Sequence, residues 1–149
     1  MDNPILIVVM RYLHIISALS AVGGMVFLIS CLLPSVKPLD DETRKAVVSK
    51  AHERFLRVLW LAILGLTISG VYTWMRYEAF YKSLGWIGHA LIGTKVLLAL
   101  IMFAIVFARS IGLITPKNPR TLPMINLHLA AVVMLIACVL RYYHDAKPL

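Results

Sequence analysis

Four long apolar runs, Leu13 to Leu33, Phe55 to Trp74, Trp86 to Ala108 and Leu122 to Leu140, divide the chain, and the segments between them hold nearly all of its charge. Each run is close to the roughly 20 residues that an α-helix needs to cross a bilayer. The pattern predicts an all-α fold, a polytopic four-transmembrane-helix bundle forming a single domain over residues 1–149, with no internal repeat or low-complexity tract.

The connections carry the remaining signals. Pro34 to Arg54 opens with Asp40, Asp41 and Glu42 and continues with Arg44, Lys45 and Lys50. Acidic residues suit a helix N-terminus and basic ones follow it well, so the second helix is expected to begin in solvent and run into the membrane. The second connection, Arg76 to Gly85, is short. The third, Ser110 to Pro123, contains Pro116, Pro119 and Pro123 and cannot be one continuous helix.

Composition agrees with lipid as the solvent. The 149 residues are 60% hydrophobic and 15% charged, with a mean hydropathy of +0.84, a balance too apolar for a soluble domain of this size. A net charge of +8 would point to nucleic acid in a soluble protein. Here the basic residues lie in loops and at helix ends, where they anchor helices to anionic headgroups, so lipid and not nucleic acid is the expected partner.

Four crossings place both termini and the second connection on one side, with Arg11, Arg76, Lys82, Arg141 and Lys147. The other side has Lys37, Arg44, Lys45, Lys50, Arg54, Arg57, Arg109, Lys117 and Arg120. The positive-inside rule makes the two longer connections cytoplasmic and the termini external, as in a multi-pass protein of a bacterial inner membrane. Asp2 stands where a signal peptide would have a basic residue, and no small-residue cleavage site precedes Pro34, so the first helix is read as retained. Cys31 and Cys138 lie inside apolar runs, where a thiol behaves as a small hydrophobe.

Candidate chemistry comes from histidines that fall one to a helix. His14 and His89 start the first and third runs on one side; His52 and His128 start the second and fourth on the other. Haem b in a helical bundle asks for two imidazoles from different helices at matching depth, with small residues beside them. Ser17, Ala18 and Ala21 share the face of His14, Gly23 and Gly24 follow, Gly93 lies four residues after His89, and Ala131 three after His128. Arg11, Arg54, Arg57 and Arg141 lie toward the membrane surfaces, where haem propionates seek cations. Lys95 sits inside the third run, roughly 9 Å along the axis from His89, where an ammonium must snorkel, face a cavity or meet an anion.

Blander readings stand beside these. An intramembrane histidine can simply bond a neighbouring helix, and small residues are ordinary at helix crossings in lipid. His52 precedes the strict apolar run and is equally read as a solvated interfacial residue, and His144, after Tyr142 and Tyr143, as part of an aromatic belt. Met10, Met25, Met75, Met102, Met124 and Met134 could serve as soft copper ligands, but they are scattered over all four helices without a local cluster. No strand-borne GxGxxG, HExxH or Walker-type loop occurs, and Ser-His-Asp chemistry lacks an intramembrane carboxylate.

Three segments together resemble the four-helix membrane domain of the copper resistance protein D (CopD) family and, more distantly, HemJ-type protoporphyrinogen oxidases. They are RYLHIISALSAVGGMVFL, with an aromatic-Leu-His start and a later Gly-Gly; RFLRVLWLAILGLTISGVY from Arg54; and GTKVLLALIMFAIVFARS, with Lys95 near its start and Arg109 at its end. The resemblance implies His14 as a haem ligand on the HemJ side and copper handling on the CopD side. The HemJ-like pattern has a histidine two residues before the third-helix lysine, whereas His89 lies six before Lys95. The further histidines, His52, His89 and His128, are similar to those of di-haem cytochromes b, with one haem near each face.

The leading expectation is therefore a membrane b-type haem protein carrying electrons, with one or two haems held by His14 with His89 and by His52 with His128. It would belong to a larger redox complex with protein partners, and a quinone is a further candidate partner. The alternatives are a CopD-like copper-handling protein and a cofactor-free structural subunit.

Overall fold

The computed structural model describes residues 3–114 and 116–146. Asp2 and Lys147, used above in reading the termini, lie outside them. The described residues form helices and turns without a strand. The elements are α1 (Pro4–Phe27), a π-helical turn (Leu28–Leu32), α2 (Leu33–Ser35), α3 (Asp41–Arg76), α4 (Glu78–Ser83), α5 (Trp86–Ser110) and α6 (Thr121–Ala146). Four stretches are long and apolar enough to cross a membrane: Pro4–Ser35, Asp41–Arg76, Trp86–Ser110 and Thr121–Ala146.

The ends of these helices follow from local chemistry. Asn3 caps α1, its side chain accepting from the Ile5 amide at 3.0 Å, and Pro4 occupies the first turn, where its missing N–H leaves nothing unpaired. The first span thus begins nine residues before its strictly apolar run. Asp40 caps α3 by accepting from the Thr43 amide at 2.9 Å, with Asp41 and Glu42 in the first turn. At 36 residues and ~1.5 Å per residue, α3 is far longer than a ~30 Å hydrocarbon layer, so its polar first part stands outside the membrane as the acidic cluster predicts.

Two connections differ in detail from the sequence reading. The short one contains α4, closed by a Glu78–Lys82 ion pair at 2.7 Å and pinned by the buried ring of Phe80. The proline-rich one ends at Arg120, and Pro123 lies in the first turn of α6, where a helix tolerates proline.

Helix α1 packs along α3 and α5 along α6, with α6 also reaching α1 and only slight contact between α3 and α5. Small residues permit the first pairing. A side chain on Gly65 of α3 would run into Ser17 and Leu13 of α1, and one on Gly24 would run into the Phe55 ring. The small residues expected to leave room for a flat ring beside His14 are thus, at Ser17, Ala21 and Gly24, taken up by α3. Without a hydrophobic drive between helices in lipid, such close backbone contact is what holds them. The core is small, Ala21, Leu59, Ala62, Ile63 and Val106, bordered by Phe55, Leu56 and Phe103.

The inward stripe of the first span runs through Ser17, Ala21, Met25, Leu28, Leu33 and Val36, in steps of four, four, three, five and three residues. The five-residue step coincides with the π-helical turn. Pro34 has no N–H for the Ser30 carbonyl and crowds it, and the turn widens to accept that.

Gly65→Leu should therefore lower stability by about 1–3 kcal/mol through overpacking, read as a fall in thermal midpoint in detergent. Gly70→Leu, on the same helix with nothing within 4 Å of its added carbon, should leave the midpoint near wild type.

Candidate functional site

Ser69 is fully buried where α3 meets α1. Its hydroxyl donates to the Gly65 carbonyl at 2.6 Å, and the His14 Nδ1 lies 2.9 Å from the same oxygen. A hydroxyl has one proton, and the short distance to Gly65 favours that carbonyl as its acceptor, which casts the imidazole as the donor. His14 is then the Nδ1–H tautomer with a bare Nε2, the arrangement in which a second group orients a ligating histidine. The ring is half-buried, and the charge that acts on it from α5 is that of Lys95.

The other histidines stand differently. His89 and His128 are exposed on the outside of the bundle. Each points Nδ1 at a carbonyl of its own chain four residues back, His89 to Gly85 at 3.0 Å and His128 to Met124 at 2.7 Å. His52 is half-buried, and its Nε2 accepts from Arg109 Nε at 3.4 Å. The structure thus joins His14 to Ser69 and His52 to Arg109, and it places neither His89 against His14 nor His128 against His52 in any contact.

One helical turn nearer the termini from His14, a cleft of about 200 Å³ opens among α1, α3, α4, α5 and α6. Arg11, Lys95 and Arg141 line it, with Tyr77, Tyr81 and His144, and no described lining residue is acidic. Arg11 donates to the Tyr77 hydroxyl at 3.0 Å. Arg141 is tied to Asp145 at 3.0 Å beside the cleft, while Lys95 has no ion pair or hydrogen bond among the described residues. The His144 ring stands edge-on to Tyr77 and Phe80, with centroids 5.4 and 5.0 Å away.

The remaining predicted cations lie elsewhere. Arg57 pairs with Glu53 at 2.6 Å, and Arg54 is exposed on the same outer part of α3. Ser69, Thr73, Tyr77, Tyr81 and His144 enter the site or its cleft without having been singled out for either. Only His144 carried a sequence signal, its place beside the Tyr142–Tyr143 pair.

The two tyrosines of the cleft are pushed in opposite directions. Burial raises Tyr77, but hydrogen bonds from Arg11 and Arg76 outweigh it and hold the hydroxyl below the ordinary phenol range. Burial, then the neighbouring Tyr77, raises Tyr81 above that range. Because the folded-state value of Tyr77 is lowered, its contribution to stability appears as pH rises through that value and is complete above the unfolded one. An ultraviolet titration should show one tyrosine ionising before the rest; Tyr77→Phe should remove that step, and Arg11→Gln should delay it.

Comparison with known protein families, with curated proteins and with solved structures finds no match for this chain.

Proposed function

We propose that this chain is a membrane b-type haem protein that carries electrons within or across the membrane, as a subunit of a larger redox assembly. The observation that carries the reading is His14: a half-buried imidazole held at Nδ1 by Ser69, one helical turn along α1 from Arg11, which lines a cleft with two further cations. The resemblance of the first helix to the HemJ pattern points to the same residue.

The donor chemistry fits haem. His14 Nε2 would hold the iron, and Arg11, Arg141 and Lys95 would meet the propionates, anions that offset cations otherwise costly at the edge of an apolar bundle. The cleft, smaller than the ~300–1,000 Å³ usual for a whole ligand, suits the polar edge of such a group. When bound, haem supplies one-electron redox chemistry, while the protein sets its orientation and dielectric.

This reading is narrower than the sequence expectation. His52 Nε2 is engaged by Arg109, and His128 stands on the outer face, so the support is for one haem at the end bearing the termini. His89, exposed on α5, is available to a partner subunit rather than to His14.

The purified, haem-replete protein should show b-type Soret and alpha bands in a reduced-minus-oxidised spectrum, with one equivalent by pyridine haemochrome. His14→Ala should abolish them, Ser69→Ala should weaken haem affinity by about 10–100-fold as loss of an orienting partner does, and His89→Ala should retain the bands. A wild-type protein without those bands ends the proposal.

The orientation, termini outside in a bacterial inner membrane, rests on the basic residues of the two longer connections. In a background with Cys31 and Cys138 replaced by Ala, Lys82→Cys should react with an impermeant maleimide in intact cells, and Lys45→Cys only after lysis. The reverse pattern would invert the topology.

A further inference from the structure

The opposite end of the bundle, about 21 Å along α1 from Arg11 by helix rise, contains a second, smaller cavity. A cavity of about 30 Å³ is walled by one side chain or more from each long helix: Met25 of α1, His52 of α3, Arg109 of α5 and Asn126 of α6. Asn126 is 6% exposed, and its Oδ1 has no hydrogen-bond partner. A buried carbonyl left so costs about 1–3 kcal/mol, and in a bundle surrounded by lipid no bulk water relieves it.

We propose that this cavity is a buried water-binding site, in which a water molecule donates to Asn126 Oδ1 and accepts from the Arg109 guanidinium. The volume exceeds the ~10–15 Å³ that one water needs, and the walls supply the two to four polar partners required. Of the five N–H groups of Arg109, one serves His52 and one the Ile114 carbonyl at 3.5 Å, so donors remain. The same walls reject the competing ligands. The guanidinium repels a metal cation, and the bare Oδ1 repels an anion. Such a water joins α6 to α5 and, through Arg109 and His52, to α3.

Met25 makes this testable, because its thioether lines the cavity yet is only 3% exposed. Short X-ray pulses turn water into hydroxyl radicals where it sits; such a radical adds to the sulfur of a neighbouring methionine, and dissolved dioxygen takes the remaining electron and proton as hydroperoxyl, leaving the sulfoxide with the water's oxygen. In the full chain in lipid nanodiscs, mixed with heavy-oxygen water before the pulse, Met25 should acquire the label, as read by peptide mass spectrometry. Asn126→Leu, which fills the space and removes the acceptor, should lose that labelling while the exposed Met75 and Met124 keep theirs. If Asn126→Leu does not fold, Val106→Leu, which narrows the same cavity with the amide intact, should show the same loss. A wild-type Met25 that stays unlabelled, or equal labelling in a folded cavity-filling variant, overturns the site. Neither outcome depends on whether haem is bound at the other end.

Discussion

A single hydroxyl proton organises the centre of this bundle. Ser69 is wholly enclosed, its hydroxyl donates to the Gly65 carbonyl, and its oxygen stands within hydrogen-bond distance of the His14 imidazole of α1. The absence of a side chain at Gly65 lets α1 come close enough for that contact, so the packing of two helices and the protonation pattern of an imidazole are one arrangement. In lipid, where polar groups must find partners inside the protein, this constraint is stronger than it would be in water.

The two ends of the bundle solve the same problem with different means. At the terminal end three cations surround an open cleft, and the tyrosine hydroxyls and His144 shape it, which leaves positive charge for an external anion. At the other end one guanidinium is consumed within the protein, by His52 and a loop carbonyl, and the space that remains is small. The first arrangement suits a ligand that enters from outside; the second suits internal cohesion. That contrast separates two histidines which look alike in the sequence.

The spans, the solvent-exposed start of α3 and the break before α6 were legible because each rests on a local signal: run length, an acidic cap, prolines. What was not legible is rotation about the helix axis. A soluble helix reveals its inward face because the other face is polar, whereas here both faces are apolar and the pattern has almost no direction. Depth along the membrane could be read for His14, His89, His52 and His128; azimuth could not, and azimuth decides that His14 meets Ser69 while His89 and His128 turn outwards. Lys95 carried a partial signal, since an ammonium inside an apolar run must snorkel, face a cavity or meet an anion, and it lines the cleft.

The widened turn at Leu28–Leu32 acts as a phase corrector. At about 100° per residue, a plain α-helical step of five would carry Leu33 some 140° away from the line set by Leu28, turning Leu33 and Val36 out toward lipid. The wider winding brings both back beneath the bundle. The proline that causes the distortion thereby sits where the wider winding keeps one further turn, through Val36, against the rest of the bundle, and removing one residue from the wide turn would return an ordinary α-helical step of four, about 400°, with Leu33 still on the inward line.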